Sequence, residues 1–440
     1  MDIKELYKLY QQHPCITTDS RNCPEGSIFL ALKGASFNGN QFALQALQQG
    51  CAYAIVDEKE YQTDERILLV DDCLQTYKDL AREHRRQFDI PIVGITGTNG
   101  KTTTKELIRA VLSECYNVMA TEGNFNNDVG VPKTLFRLNE EHDIAVVEMG
   151  ASHPGDIKTL VETAEPTCGL ITNVGRAHLQ GFGSFEGVCK TKGELYDFFR
   201  AHECPVFVNR DNEHLMKMTD GLADIYYYGQ SDNADILIHG EVVGCAPFLK
   251  FRWREQDTDA NYQSEWMEVQ THLIGAYNLD NMLAAITVGY VNNVPFEQIN
   301  HALENYIPTN NRSQLTETQT NHLIVDAYNA NPTSMKAAID NFRLMEVSPK
   351  MAILGMMGEL GDVSQEEHQK VVDMLADAGF DKVWLVGEAY KNCQLSIINC
   401  QLFNDVEEVK AAIAQEQPQH YYILIKGSNS VKLYQLPELL

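Results

Sequence analysis

Gly97-Thr98-Asn99-Gly100-Lys101-Thr102-Thr103 follows the apolar run Ile92-Val93-Gly94-Ile95-Thr96 and precedes the helical pattern Glu106 to Leu112. A glycine-rich turn between a strand and a helix can cradle a triphosphate. Its backbone N–H groups point inward, Lys101 can reach the outer phosphates, and the Thr102 hydroxyl can ligate Mg²⁺. The expected ligand is ATP. The strict P-loop spacing would place its first glycine at position 95, which is isoleucine, so the match is to a variant that starts at Gly97.

Glu148 closes the apolar strand Ile144-Ala145-Val146-Val147. That places its carboxylate at the sheet edge beside the phosphate loop, where NTPases keep an acidic Mg²⁺ ligand; the alternative is a strand-end glutamate facing water. His178 follows the next strand, hence the same edge, and read alone it is as readily a structural histidine as a functional one. Lys190 and Lys192 fall on a helix expected from Glu186 to Arg200, where the default for both is a solvated face. The segment Gly123-Asn124-Phe125-Asn126-Asn127-Asp128-Val129-Gly130-Val131-Pro132 is dense in amides and glycines, as suits either a turn or a loop that hydrogen-bonds a polar ligand.

The elements that must position these residues read as an α/β protein. At 440 residues the chain exceeds one compact core, and a prior of about 150 residues per domain gives roughly three domains. Residues 1–88 form a small α/β unit with apolar runs at Ser27 to Leu32 and Ala52 to Val56 and a helix at Phe42 to Leu47. From 89 to 308, strands at Ile92 to Thr96, Ile144 to Glu148, Cys168 to Thr172 and Pro205 to Asn209 alternate with helices. This predicts a parallel sheet covered on both faces, with ligands at the carboxyl ends of its strands. Residues 235–275 alternate polar and apolar side chains and predict antiparallel hairpins. After an interruption at Ile307-Pro308-Thr309-Asn310-Asn311, residues 309–440 form a second α/β series, Rossmann-like, with strands at Leu323 to Asp326, Met351 to Leu354, Val383 to Val386 and Tyr421 to Lys426.

A net charge of −26 argues against nucleic acid or an anionic membrane surface as partner, because both would repel the chain. No run approaches the roughly 18 apolar residues of a membrane span, and the start lacks a basic-then-apolar leader, so the cytoplasm is the expected compartment. Eleven cysteines without a Cys-x-x-Cys pair read as free, mostly buried thiols. A monomer is expected.

Taken in order, these pieces resemble the Mur ligases, ATP-dependent amide-forming enzymes of peptidoglycan precursor synthesis. The resemblance runs through Asp19-Ser20-Arg21, Thr96 to Thr103, Glu148-Met149-Gly150, Ala177-His178-Leu179, Lys192-Gly193-Glu194, Asn278-Leu279-Asp280-Asn281, Arg312 and Asp326-Ala327-Tyr328-Asn329-Ala330-Asn331-Pro332. Within the family, Gly123-Asn124-Phe125-Asn126-Asn127 and Gly358-Glu359-Leu360-Gly361 are similar to the member that adds D-alanyl-D-alanine to UDP-N-acetylmuramoyl-tripeptide. The Asp-Asn-Pro-Arg motif of the diamino-acid-adding member is absent. Asn40 and Asn429 stand where the family often has histidine and arginine, and neither is assigned a contact.

The resemblance implies three domains, two Mg²⁺ sites and a Lys192 carbamylated into a ligand, with Thr102, Glu148 and His178 as the other metal ligands. It implies that Asn281 faces adenine, that Arg312 and Asp326 hold phosphate and ribose, that Ser20 and Arg21 meet the uridine end of the substrate, and that Asn126 and Asn127 contact substrate. Lys101, Glu148, His178 and Lys192 would be the catalytic set. Two rivals remain: another ligase of the superfamily, adding a diamino acid or extending folate with glutamate, and a nucleotide-switched binding protein.

Overall fold

The computed structural model describes residues 2–257, 262–308 and 314–440. The chain divides into two compact units, one made of 1–94, 117–150 and 158–167, the other of 95–116, 151–157 and 168–440.

The first 88 residues contain a four-stranded sheet in the order Ile16–Thr17, Ile28–Leu30, Tyr53–Val56, Ile67–Leu69, all neighbours parallel. Helix Ala43–Gln48 falls where periodicity placed it. The strand Ile67–Leu69 and helix Cys73–Arg85 were not anticipated. That helix starts because the Asp72 side chain accepts from the Gln75 N–H at 2.7 Å, a cap that satisfies one orphan donor of the first turn.

The largest sheet runs Tyr262–Gln263, Phe248–Asp257, Ile236–Cys245, Ile225–Gly229, Val206–Asn209, Cys168–Ile171, Ile92–Thr96, Ile144–Glu148, Val118–Ala120, with Met267–Ile274 also paired to Phe248–Asp257. Residues Ile92 to Thr96 and Ile144 to Glu148 are buried throughout, which is why they read as continuous apolar runs rather than alternating ones. The 236–274 ribbon is antiparallel, as its alternation predicted.

The C-terminal sheet has six strands, in the order Gln314–Glu317, His322–Asp326, Tyr422–Lys426, Lys350–Gly355, Lys382–Val386, Cys400–Phe403. Its side chains sort by period two. Ile324, Ala352, Leu354, Val383, Leu385 and Leu424 join a core with helices Pro332–Leu344 and Ser364–Ala376. Their sequence neighbours Leu323, Val325, Met351, Ile353, Trp384, Ile423 and Ile425 join a second core with helix Val406–Gln415. A sheet with a core on each face is the Rossmann-like arrangement expected for this part. The α/β class and its antiparallel addition are thus as read from sequence.

One expectation is corrected. All eleven cysteines are free, but Cys51, Cys73 and Cys168 alone are buried; Cys15 and Cys115 are exposed and the other six are half-buried. A thiol is small enough to sit at the margins of these thin layers, so composition overstated the burial.

Candidate functional site

The phosphate loop is built from backbone that only glycine adopts easily. Gly97 has φ +147° and Gly100 φ +79°, and a Cβ at Gly97 would lie 2.0 Å from Thr172 Oγ1. Helix Lys101–Leu112 starts at Gly100, so its first N–H groups face the loop's concavity. The loop is stitched to the residues after strand Cys168–Ile171. Thr98 N donates to Asn173 O at 2.9 Å, Asn99 N to Asn173 Oδ1 at 3.0 Å, and Thr172 Oγ1 to Asn99 O at 2.6 Å. Asn173 was not singled out in the sequence, although a polar residue directly after a buried strand is a visible signal. Lys101 Nζ donates to the carbonyls of Gly97 at 2.7 Å and Thr98 at 3.1 Å, and Thr102 is buried in the first turn.

Asn281 lies under the loop. A Cβ on Gly100 would meet Asn281 Oδ1 at 2.6 Å, that oxygen accepts from Thr104 Oγ1 at 3.0 Å, and its amide donates to Asn278 Oδ1 at 2.8 Å. Its side chain braces the loop.

Lys101, His178 and Lys192 are within electrostatic reach of one another. The positive charge of Lys101 lowers the pKa of both other groups, after the larger effect of burial. Lys192 is 2% exposed, which corrects the solvated-face default, while Lys190 is exposed as expected. Helix Phe185–His202 presents Lys192 inward together with Val188, Leu195, Tyr196 and Phe199, so it lies on the apolar stripe of an amphipathic helix. Burial holds the Lys192 amine well below the usual lysine range, and Asp156 and Glu194 oppose the shift. The ring of Phe182 lies 5.7 Å from Lys192 Nζ and 6.2 Å from the His178 ring. His178 Nδ1 pairs with the Glu359 carboxylate.

Glu148 is 1% exposed at the end of its strand, which excludes the water-facing alternative, and its Oε1 accepts from Asn126 Nδ2 at 2.8 Å. Asn127 Oδ1 accepts from the N–H of Gly130 at 2.8 Å, opening helix Gly130–Leu135. Arg21 is exposed and forms a two-point pair with Asp19, its Nε and Nη2 each 2.9 Å from a carboxylate oxygen; Ser20 is half-buried beside it. Asp326 Oδ2 accepts from Lys426 Nζ at 2.5 Å, a lysine only 1% exposed. Lys426 was missed as a partner, yet a lysine closing the apolar strand Tyr422–Lys426 is a signal of a buried pair. Arg312 lies outside the described residues.

Among the described residues no group of three or more His, Cys, Asp or Glu could hold a metal ion. The donor chemistry still fits Mg²⁺ in two ways. A buried Thr102 hydroxyl beside a phosphate cradle suits an ion that takes its other ligands from phosphate and water. Desolvation favours the neutral form of the Lys192 amine, the form in which an amine can take up CO₂ to become an anionic oxygen donor.

The chain belongs to the Mur ligase family: models of that family's catalytic, middle and glutamate ligase domains match residues 14–85, 95–289 and 311–429. It is 34% identical to the protein named UDP-N-acetylmuramoyl-tripeptide--D-alanyl-D-alanine ligase from Synechocystis sp., over 95% of this chain and 90% of that one. Among solved structures, MurF from Acinetobacter baumannii superposes with TM-score 0.87 at 29% identity, covering 98% of this chain and 96% of the other. MurF ligase from Thermotoga maritima, solved with ADP, gives 0.86 at 26% identity and 97% coverage of each chain.

Proposed function

We propose that the protein uses ATP to join D-alanyl-D-alanine to the terminal carboxylate of UDP-N-acetylmuramoyl-tripeptide, in peptidoglycan precursor synthesis. A carboxylate does not react with an amine at neutral pH because its oxygen is a poor leaving group. Transfer of the γ-phosphoryl makes an acyl phosphate, which the dipeptide amine displaces to give the amide, ADP and phosphate. The observation that carries this reading is a glycine-built phosphate loop accompanied by Lys192, a lysine only 2% exposed with the Phe182 ring 5.7 Å from its Nζ. The relatives' names and their full-length coverage support the choice of substrates.

In this reading Gly97, Thr98, Asn99, Gly100, Thr102 and Thr103 cradle the phosphates, Lys101 neutralises charge that develops on the transferred group, and Asp326 meets the ribose. Such positioned charge is commonly worth about 10² to 10³ in rate per group. Asn281, which also braces the loop, faces the adenine, and Arg312 adds a cation to phosphate. Thr102 would hold one Mg²⁺; Glu148, His178 and a carbamylated Lys192 would hold a second. Bound there, Mg²⁺ supplies positive charge for two anionic reactants in a chain that is itself strongly negative. Ser20 and Arg21 face the uridine end, and Asn126 and Asn127 contact substrate. The working division is 1–88 for the UDP-linked substrate, 89–308 for ATP and 309–440 for closure over it; the ranges matched by the three family models support it.

The test is phosphate release by the purified chain with ATP, UDP-tripeptide and dipeptide supplied or withheld one at a time. Release that requires all three, with the UDP-pentapeptide as product, is expected. Release that needs neither co-substrate would favour the nucleotide-switched alternative, and product formation with L-lysine or glutamate in place of the dipeptide would favour another ligase.

A further inference from the structure

Arg176 follows strand Cys168–Ile171, and both its side chain and its backbone reach the C-terminal part of the chain. Its Nη1 lies 3.2 Å from Glu367 Oε1, and its N–H donates to Thr333 Oγ1 at 3.3 Å. We infer that the Arg176–Glu367 pair is an electrostatic latch: Arg176 is a positioning residue that holds the C-terminal part against the phosphate loop, so that the pair sets the affinity for ATP and its dependence on salt. The inference rests on the closure assigned above to residues 309–440 and names the ion pair that governs it.

Three observations carry it. The first is a short mechanical path. Gly175 N donates to Thr98 Oγ1 at 2.9 Å, so the residue next to Arg176 is bonded directly into the phosphate loop. On its other side the same segment sits on the start of helix Pro332–Leu344, where a Cβ on Gly175 would lie 2.9 Å from Thr333 Oγ1, too close for a side chain. A displacement of that helix start therefore acts on the loop itself. The second is unequal burial. The Glu367 side chain, in the first turn of helix Ser364–Ala376, is 5% exposed, while that of Arg176 is 55% exposed. A shielded carboxylate attracts its partner more strongly than a solvated one, and a solvated arginine can leave it without crossing a dry interface.

The third is charge balance. Lys370 Nζ lies 2.9 Å from Glu367 Oε1 and 2.6 Å from Glu366 Oε1, both on its own helix. With Arg176 in place, two cations face two carboxylates. When Arg176 leaves, Lys370 stays, so Glu367 is never left as a lone buried charge, whose cost would make the contact permanent. The separated state still carries one excess negative charge in a chain of net charge −26, and this favours re-engagement. The pair is thus both reversible and biased toward the engaged state, as a latch that must release product requires.

The experiment measures calorimetric binding of β,γ-methylene ATP to wild type, Arg176→Met, Glu367→Gln and Lys370→Met, with ligation kinetics and thermal melts alongside. Apparent affinity scales with the population of the engaged arrangement. Arg176→Met and Glu367→Gln should each weaken binding about two- to fivefold, the worth of a partly exposed pair, and together no more than either alone. Lys370→Met should instead tighten binding and slow nucleotide release, because the separated state then holds two uncompensated carboxylates. A merely structural cluster would lower the melting temperature in all three without this reversal of sign. Raising ionic strength from about 0.1 to about 1 M, which shortens the Debye length from about 10 to about 3 Å, should weaken binding more steeply in wild type than in Arg176→Met. If Glu367→Gln tightens binding while Arg176→Met weakens it, Arg176 acts on the phosphates directly and the inference is overturned. Wild-type affinity in Arg176→Met overturns it too. A wild type that binds the analogue yet forms no amide sinks the ligase reading alone, because the latch is read from binding.

Discussion

Asn331 caps helix Pro332–Leu344 with its Oδ1, accepting from Ser334 N at 2.9 Å, while its Nδ2 donates to Asn99 Oδ1 at 2.7 Å. One amide therefore fixes a helix start with one atom and the phosphate loop with the other, so the geometry of the loop depends on residues more than two hundred positions downstream. Arg176 reinforces the connection through Glu367 at 3.2 Å, and its N–H donates to Thr333 Oγ1 at 3.3 Å.

The two functions of Asn331 can be separated. Asn331→Asp keeps the cap acceptor but replaces the donor to Asn99, and should raise KM for ATP with thermal stability near wild type. Asn331→Ala loses both and should also cost about 1 kcal/mol of stability, the usual value of a cap. Steady-state kinetics together with thermal melts distinguish the pair. Equal stability loss in both variants would show that the link to Asn99, not the cap, carries the energy.

Lys101→Ala should abolish ATP-dependent ligation, by about 10² to 10³ at least, with folding intact. Its side chain is half-buried and donates to the loop carbonyls of Gly97 and Thr98; a circular dichroism spectrum and a thermal melt check that the variant is folded. A well-folded variant with normal turnover would remove the phosphate loop from the mechanism.

Lys192→Ala should lose activity that short carboxylic acids partly restore, because an added carboxylate can occupy the place of the carbamate. Mass spectrometry of the native protein under bicarbonate should find the CO₂ adduct at Lys192. Its burial and lowered pKa favour the neutral amine that the adduct needs. Activity equal to wild type would exclude the residue from the site.

Asp326→Asn leaves the ammonium of Lys426 buried beside a neutral amide. Removing one partner of a buried pair costs about 3 to 5 kcal/mol, and Lys426 at 1% exposure sits at that end of the scale, although Asp326 retains some solvent access. A urea midpoint shift should report it. Asp326→Asn with Lys426→Met should recover most of the loss, since the uncompensated charge is then gone, while ATP affinity stays impaired if Asp326 meets the ribose.

His84 and His368 are buried and held below the ordinary histidine pKa, chiefly by desolvation. Each is wired as a neutral ring: His368 Nε2 accepts from Met357 N, leaving the proton on Nδ1 toward Ser364 O at 2.7 Å, and His84 lies between Tyr7 Oη and Leu138 O, both at 3.0 Å. The unfolded chain binds a proton at about pH 6.5 and the folded one only at lower pH. Stability should therefore be constant above about pH 6.5 with respect to these two groups and fall as pH drops below it. Replacing His368 with glutamine should flatten part of that fall in a series of chemical melts; an unchanged slope would assign the loss to other groups.

The sequence by itself determined the local chemistry and the layers. The phosphate loop was legible because cradling phosphate demands glycine at fixed offsets between a strand and a helix. The buried strands at Ile92 and Ile144 were legible because burial on both faces demands continuous apolar runs. Residues 236–274 declared themselves antiparallel through alternation. Tertiary structure alone decided the rest. Lys192 looked solvated because a lysine on a helix usually is, and only the burial of that helix face, with the Phe182 ring 5.7 Å from Nζ, makes it a desolvated amine. The partners Asn99 with Asn331, His178 with Glu359 and Asp326 with Lys426 lie about 100 to 230 positions apart, beyond any periodicity. Periodicity encodes which face of an element is buried; it carries no information about which element arrives to bury it.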